Sequence, residues 1–240
     1  MLKVADAGKA FGVQEVLHGI SFVLRDGEIV GLVGPSGAGK SVLLKLLGRV
    51  IRPDQGSIQS LDARGNVRPC EVGFLFQEGA LFDSMSVIEN AAFPLLSAAA
   101  KRTSYDEAME RAFDILKEVG LAEAYRKMPG QLSGGMRRRA ALARALVHHP
   151  DLVLLDDPTG GLDPVAASVI MNLIRTLHEH YQPTIVMVSH DIRRLMPAVR
   201  RVLALFAGRL VCDQSTESLA CAGSSQVVRF LSTRYDFSQT

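Results

Sequence analysis

The chain has 240 residues, of which 48% are hydrophobic and 22% charged, and its formal net charge is +2. This length and composition fit a soluble globular protein with a well-buried core, and so small a net charge does not by itself indicate nucleic-acid binding. The three cysteines match no metal-ligand spacing, which favours reduced thiols in a cytosolic protein. The longest weakly polar run, residues 91–100, is too short to span a membrane, so we expect another chain to supply any membrane span.

The first predicted elements are short β-strands. Residues 2–24 are rich in β-forming residue types, and Asp26-Gly27 is a turn signal. The apolar run Glu28–Val33 that follows is typical of a buried strand. We therefore predict a small antiparallel β layer ahead of the first strand of an α/β core.

A glycine-rich turn follows this strand and leads into an apolar helix at residues 42–47. Strand, turn and helix, with lysine then serine ending the turn, form the P-loop pattern, which an ordinary glycine turn rarely matches in full. The glycines let successive N–H groups point into one concavity, and the helix N-terminus adds partial positive charge, so the turn suits phosphate. In this pattern Lys40 reaches the β- and γ-phosphates and the Ser41 hydroxyl binds Mg²⁺. The predicted ATP-binding residues are Gly34, Pro35, Ser36, Gly37, Ala38, Gly39, Lys40, Ser41 and Val42.

The middle of the chain changes from β to helical patterning. A turn at Arg52–Gly56 precedes a strand at Ser57–Leu61, and Glu71–Phe76 is a second buried strand that ends at Gln77. Helical patterning begins near residue 86. Its start signals are Ser86 with Glu89, Ser104 with Glu107, and Ser133 at the head of a helix that runs to His148.

The C-terminal part returns to alternating strands and helices. The predicted strands are Leu152–Leu155, Thr184–Val188 and a hairpin of Val202–Phe206 with Arg209–Cys212, and the helices are Pro164–His180, Ser215–Ala220 and Ser225–Ser232. We predict an α/β fold of the P-loop NTPase (RecA-like) type, with a mostly parallel sheet, an N-terminal antiparallel β layer and an inserted α-helical subdomain. Residues 1–240 form one domain, in which 1–85 and 146–214 hold the β layer and the core, 86–145 the helical subdomain, and 215–240 a short helical tail.

Four polar features follow predicted strands: the P-loop, Gln77, the pair Asp156-Asp157, and His190. Because open parallel sheets bind ligands beyond the carboxyl ends of their strands, we expect all four to meet on one edge, around the phosphates. A carboxylate at Asp156 can hold Mg²⁺ through water, which is the usual second half of a P-loop site. The alternative is that Asp156 caps the helix that follows it.

Asp157 lies one residue beyond this carboxylate and is the candidate general base or water-positioning group. The alternative is a surface aspartate that merely follows the metal ligand.

His190 could hydrogen-bond the γ-phosphate or the attacking water. The other histidines are expected to be structural or surface residues: His18, His148, His149, His178 and His180.

A second anion site is predicted where the helix after Leu132 begins. Ser133, Gly134 and Gly135 offer a hydroxyl and bare N–H groups at a helix N-terminus, with a simply capped helix as the alternative. Two phosphate-binding halves in one chain suggest a head-to-tail dimer, in which each nucleotide lies between two copies. We interpret the basic run Arg137–Arg139 as solvated helix faces near a nucleotide, because no aromatic residues interleave with the arginines.

The chain resembles the nucleotide-binding subunit of an ABC transporter over essentially its whole length, because these motifs come in the order typical of that family. The matching segments are the P-loop, the Q-loop at Gln77, the signature at Leu132–Met136, the strand ending at Asp156, the D-loop at Gly161–Asp163 and the switch at His190. The resemblance implies that Gln77 senses the metal and takes part in hydrolysis. It also implies that Phe11 stacks on adenine, although Phe11 could equally be a core residue.

Two positions depart from the family pattern. Met136 stands where the signature usually has glutamine, and Asp157 stands where a glutamate is usual. The aspartate side chain is shorter by one C–C bond, about 1.5 Å, so slow but real hydrolysis is expected. Three segments are also similar to the ATPases of MCE-type lipid transport systems, the Mla class: Phe74–Phe82, Leu132–Arg139 and Gln226–Leu231.

The resemblance implies ATP and Mg²⁺ as cofactors. It implies a second copy of the chain, a membrane permease and an MCE-domain lipid-binding protein as partners, no nucleic acid, and a peripheral position on the cytoplasmic face of the inner membrane. Two other classes stay open: an ABC ATPase for another cargo, such as amino acids or lipoproteins, and a soluble ABC ATPase without a permease. Apolar residues after the Q-loop would form a groove for a permease helix, unless they only pack the subdomain core: Leu81, Phe82, Met85, Ile88 and Phe93.

Overall fold

A computed structural model describes residues 1–76, 79–97, 103–222 and 225–232. Its strands are β1 (Leu2–Phe11), β2 (Gln14–Leu24), β3 (Ile29–Val33), β4 (Gln55–Ser60), β5 (Val72–Leu75), β6 (Leu152–Asp156), β7 (Thr184–Val188), β8 (Arg201–Phe206) and β9 (Arg209–Ser215). Its helices are α1 (Lys40–Leu47), α2 (Val87–Leu96), α3 (Tyr105–Glu118), α4 (Gly134–Leu146), α5 (Pro164–Tyr181), α6 (Ile192–Leu195), α7 (Thr216–Ala222) and α8 (Ser225–Ser232). The chain divides into two compact units, a first unit of Met1–Cys70 with Gln182–Thr240 and a second unit of Glu71–Tyr181.

The first unit contains a three-stranded antiparallel sheet in the order β2, β1, β4. Along β2 the side chains alternate between solvent and interior, so that Ile20, Phe22 and Leu24 are buried. This alternation is typical of an antiparallel strand with one face on the core and one in water. The sheet is the antiparallel layer that the sequence predicts.

A second sheet in the first unit is mostly parallel. β3 lies between β7 and β8, parallel to both, and β9 adds antiparallel to β8. Residues Val30–Val33 of β3 are buried without alternation, as expected of a parallel strand that is covered on both faces. In α8, Val227 and Leu231 are buried, and the Phe230 ring meets Phe206 edge-on at 5.5 Å between centroids.

The second unit contains the parallel pair β5 and β6 together with helices α2 to α5. Helix α4 approaches β5 very closely, because a Cβ on Gly73 would lie only 1.9 Å from the carbonyl oxygen of Ala145. Only glycine permits this contact. It brings the helix that follows the signature directly against the strand that precedes Gln77.

Side-chain caps begin α2 and α3, as the sequence predicts. At α2 the Ser86 hydroxyl accepts from the Glu89 N–H, and the Ser86 N–H donates to the Glu89 carboxylate at 2.7 Å. At α3 the Ser104 hydroxyl accepts from the Glu107 N–H at 3.2 Å. These bonds satisfy amide groups that the first helical turn leaves unpaired.

The predicted fold class is confirmed, with small differences in the elements. Helix α4 ends at Leu146 rather than His148, because His149 has a left-handed φ of 50° and Pro150 cannot continue the helix. The sequence prediction lacks α6, whose four residues are too few to show a helical period.

The predicted helical subdomain, residues 86–145, lies within the second unit, and its boundaries stay a prediction. Gln77 and the last eight residues of the predicted tail, 233–240, lie outside the described residues. Within the part of the chain that the structure describes, no helix has the length and apolar character needed to cross a membrane.

An ionic cluster around Arg201 ties three strands of the first unit. Its guanidinium donates to both carboxylate oxygens of Asp213 at 2.6 and 2.7 Å, to Glu28 at 2.9 Å and to the Val23 carbonyl at 2.8 Å. We expect Arg201→Gln to lower the free energy of unfolding by about 2–4 kcal/mol, since two carboxylates lose their largely buried cation. Urea denaturation measures the change, and a loss below about 0.5 kcal/mol would place the cluster among ordinary surface ion pairs.

Candidate nucleotide-binding and hydrolysis site

The P-loop joins β3 to α1 through glycines with left-handed backbone angles. Gly34 has a φ of 148°, and a Cβ there would lie 2.0 Å from the carbonyl oxygen of Leu205. Gly39 has a φ of 99°, and its Cβ would lie 2.7 Å from a Leu17 methyl carbon. Other segments of the same chain therefore pack so tightly around the loop that these two positions must be glycine.

Lys40 begins α1 and is only 7% exposed. Its ammonium group donates to the carbonyl oxygens of Gly34 and Pro35, both at 2.8 Å. Pro35, Ser36 and Gly37 are exposed to solvent. The loop therefore combines a cation held by its own carbonyls with an accessible outer rim, and this combination suits an anionic ligand such as phosphate.

Phe11 and His190 also lie in the first unit. Phe11 is 50% exposed, so the alternative that it is a core residue is wrong, and its exposure is compatible with adenine stacking. The Lys9 ammonium lies 5.5 Å from the centroid of this ring. His190 is exposed and lies two residues beyond the end of β7. The next residue, Asp191, donates its N–H to the Ser189 hydroxyl at 3.1 Å and caps α6, so the backbone on both sides of His190 is fixed.

The two candidate carboxylates lie at the end of β6 in the second unit: Asp156 is its last residue and Asp157 follows it. Asp157 is 7% exposed, so the alternative of a surface aspartate is wrong. Its carboxylate lies against Gly160, where a Cβ would meet Oδ2 at 2.3 Å, and the Gly160 N–H donates to the Asp157 carbonyl at 3.1 Å. Asp157 also has a left-handed φ of 49°, which is uncommon for a non-glycine residue and is often found at functional sites.

Helix capping does not explain Asp156. The next helix, α5, is capped by Asp163, whose Oδ1 accepts from the N–H groups of Val165 and Ala166, each at 2.9 Å. Asp156 itself is buried at the last position of β6. A buried carboxylate at a strand end matches the metal-binding interpretation of this residue.

The signature segment forms the head of α4. The Ser133 hydroxyl accepts from the Met136 N–H at 3.2 Å, so the capped helix that the sequence offers as an alternative does exist. Beside it lies a pocket of about 340 Å³ that joins the signature to the D-loop and the start of α5. Its lining includes Ser133, Gly134, Gly135, Met136, Gly161 and Leu162. A cap and an open anion site are compatible, because Gly134 and Gly135 keep their N–H groups at the positive end of the helix.

The basic run at the head of α4 is only partly solvated, since Arg137 is exposed and Arg138 is buried. Arg137 donates to the Leu132 carbonyl, Arg138 to the carbonyls of residues 76 and 160, and Arg139 to those of residues 119 and 120. All three guanidinium groups therefore bind backbone of their own unit, and Arg138 is buried. The interpretation from the sequence is wrong for Arg138, whose acceptors lie 62 and 22 positions away and leave no local pattern, whereas Arg137 is exposed as expected.

An apolar groove of about 730 Å³ lies beside β5 and α2. Phe82 and Phe93 face it with their rings 4.6 Å apart, while Arg144 lies 5.6 Å from the Phe82 ring centroid. Of the five residues predicted to form a groove, only these two phenylalanines line it. Leu81, Met85 and Ile88 are partly buried elsewhere in the unit.

Burial lowers the pKa of His148 at the groove wall, so its imidazole is neutral at pH 7.

The predicted site residues are thus distributed over both units. Phe11, the P-loop and His190 belong to the first unit, and Asp156, Asp157 and the signature belong to the second. Gln77 lies outside the described residues. The expectation that these groups meet around one nucleotide stays a prediction.

A phosphate-binding loop after a parallel strand, with buried carboxylates ending another strand, defines a P-loop ATPase cassette. Residues 17–160 match the family model for the ABC transporter, and the chain belongs to this family as an ATP-hydrolysing, ATP-binding subunit. It is 36% identical to an intermembrane phospholipid transport ATP-binding protein of Haemophilus influenzae, over 94% of this chain and 88% of that protein. It is 38% identical to an aliphatic sulfonates import ATP-binding protein of Cupriavidus necator, over 89% of this chain and 68% of that protein. The ATP-binding cassette MJ0796, solved as a post-hydrolysis dimer bound to ADP and Pi, superposes with a TM-score of 0.77 at 30% identity, covering 90% of this chain and 99% of the other.

Proposed function

We propose that this chain binds MgATP at its P-loop and hydrolyses it to drive transport through a separate membrane permease. The observation that carries the nucleotide site is the Lys40 ammonium, held over the loop by the carbonyls of Gly34 and Pro35. Incoming phosphate oxygens can take over these hydrogen bonds with a gain in charge pairing. Phe11 stacks on the adenine.

The residues expected to bind the metal fit Mg²⁺ chemically. Ser41, Gln77 and Asp156 offer hydroxyl, amide and carboxylate oxygens, which are the hard ligands that Mg²⁺ prefers. When bound, the ion neutralises charge on the phosphates during transfer. Asp157 accepts a proton from the attacking water or orients it, and His190 hydrogen-bonds the γ-phosphate or the same water.

We propose further that a second copy completes each nucleotide site. Ser133, Gly134 and Gly135 of that copy supply N–H groups to the γ-phosphate at the positive end of α4. The proposal is supported by the pocket beside these residues and by the dimeric state in which MJ0796 was solved. A head-to-tail pair with a two-fold axis contains two such sites.

The apolar groove is proposed to receive a helix of the permease. Phe82 and Phe93 are 41% and 38% exposed, an unusual exposure for two phenylalanines in mutual contact unless a partner covers them. This partner keeps the chain at the cytoplasmic face of the inner membrane as a peripheral subunit.

Phe82→Asp tests the groove. We expect the affinity of the variant for the permease to fall by at least about 100-fold, because burying a carboxylate against an apolar helix is costly. We also expect the variant to hydrolyse ATP without transport. Co-purification with the permease and reconstituted transport measure the two effects. Val67→Asp is the matched control, since it places the same charge at an exposed valine that does not line the groove. Permease binding that survives in the Phe82 variant contradicts the proposal.

The proposed cargo is a phospholipid, delivered to or from an MCE-domain lipid-binding protein. Support comes from the relative in Haemophilus influenzae, which is named for phospholipid transport, and from the segments similar to MCE-type ATPases. The second candidate is another cargo, and the sulfonate-import relative supports it at a comparable identity. Proteoliposomes containing the co-purified permease and a fluorescent phospholipid decide between them. ATP-dependent movement of the lipid supports the first candidate, and uptake of a sulfonate without lipid movement supports the second.

A further inference from the structure

We propose that Arg138 is a positioning residue that ties the wall of the apolar groove to the loop carrying Asp157, an inference that rests on the proposed role of Asp157. Arg138 lies one turn into α4 and is buried. One terminal nitrogen donates to the Phe76 carbonyl at 3.3 Å, and the other donates to the Gly160 carbonyl at 3.0 Å. A single rigid guanidinium thus connects two segments that lie 84 positions apart in the numbering of the chain.

Both contacts are made to short turns that are closed by a backbone hydrogen bond. The Phe76 carbonyl also accepts from the Gly79 N–H at 2.8 Å. The Gly160 N–H donates to the Asp157 carbonyl, and the Asp157 carboxylate lies against Gly160. A displacement of either turn therefore has to move the guanidinium or break a charge-assisted hydrogen bond.

The Phe76 end of this link belongs to the wall of the groove. Phe76 lines the groove, and its ring stacks on Phe74 with 4.1 Å between centroids. Arg144, further along α4, holds the carbonyls of Gly79 and Ala80 at 2.8 Å each. Two arginines of one helix thus hold the chain on both sides of residues 77 and 78.

This arrangement assigns a mechanical role to α4. A helix that enters the groove presses on Phe76, and Arg138 carries that displacement to Gly160 and so to the carboxylate of Asp157. Because the donors of a planar guanidinium are fixed relative to one another, a displacement of one bonded carbonyl is passed to the other. A lysine at this position keeps the charge but has a single nitrogen in place of the two terminal nitrogens that bond to the two carbonyls.

The test is Arg138→Gln in the full-length chain, with two measurements. Hydrogen exchange at the Gly79 and Gly160 amides is expected to become at least about tenfold faster, because both turns lose an ionic hydrogen bond. The kcat for ATP is expected to fall by about 10- to 100-fold with KM within about twofold, because Asp157 is misplaced while the P-loop is unchanged. Arg138→Lys should recover part of kcat.

Two control variants separate this role from general loss of structure. Arg139 lies on the same helix as Arg138, and Arg139→Gln removes its contacts to the carbonyls of Val119 and Gly120. This variant should leave hydrogen exchange at Gly79 and Gly160 at the wild-type rate. Arg201→Gln destabilises the first unit and should leave kcat within about twofold of wild type at a temperature where it is folded.

The outcomes distinguish this inference from the proposed function. If Asp157→Asn abolishes hydrolysis but Arg138→Gln leaves kcat and both exchange rates unchanged, the role of Arg138 is wrong and the hydrolysis site stands. If exchange rises at only one of the two amides, the link between the turns is wrong. If Asp157→Asn hydrolyses ATP like wild type, the proposed function of Asp157 itself is wrong.

Discussion

Replacing Asp157 by asparagine is expected to lower the steady-state ATPase rate by at least about 100-fold, which is the usual contribution of a positioned general base. Asparagine keeps the size of the side chain and its packing against Gly160, but it cannot accept a proton from water. ATP affinity should change by no more than about threefold, since the phosphates are bound by the P-loop. Phosphate release under saturating MgATP measures the rate.

Asp151→Asn is the control for this change. Asp151 lies in the same unit and accepts from the Glu71 N–H at 3.0 Å through a carboxylate oxygen, a contact that an asparagine amide oxygen can retain. Its ATPase rate should stay within about twofold of wild type, because the residue has no part in the chemistry. Equal rates for wild type and Asp157→Asn would show that Asp157 is not catalytic.

Lys40→Ala is expected to raise the dissociation constant for ATP by about 100-fold or more. Two charge-assisted hydrogen bonds to phosphate oxygens are lost, and together they correspond to about 3 kcal/mol. The same change also leaves the Gly34 and Pro35 carbonyls without the ammonium that now joins them, so the empty loop loosens as well. Titration of a fluorescent ATP analogue measures the affinity.

Lys45→Ala provides the comparison on the same helix. Lys45 is exposed in the last turn of α1, so its removal takes away a charge without touching the loop. The affinity of the Lys45→Ala variant for ATP should stay within about twofold of wild type. A Lys40 variant that binds ATP as tightly as the Lys45 variant would contradict the proposed nucleotide site.

Much of the fold follows from local sequence signals. Ser86 and Glu89 predict the reciprocal cap of α2, and the structure contains both hydrogen bonds. The strand before the P-loop and the helix after it are predicted by an apolar run on each side of the glycines. Such signals succeed because they act between residues close in the chain, where a hydrogen bond or a turn needs only the neighbouring residues.

The arginines of α4 show where local signals fail. The run Arg137–Arg139 looks like a charged surface, yet Arg138 is buried and bonds to residues 62 and 22 positions away. Phe11 is a similar case, because an aromatic residue at a strand end has the same sequence pattern whether it is exposed or buried. Only the packed chain determines which carbonyls a guanidinium can reach.

The sequence by itself therefore determined the class of the protein and predicted its phosphate-binding loop, since glycine conformation and the adjoining strand and helix are properties of neighbouring residues. The tertiary structure decided which polar groups are buried and which neighbours hold them. It removed Asp156 from a capping role, because Asp163 caps α5, and it showed that Arg138 is buried and bonded to distant backbone rather than solvated. The physical reason is that burial and long-range hydrogen bonds depend on which distant segments pack together, and a local pattern does not record this.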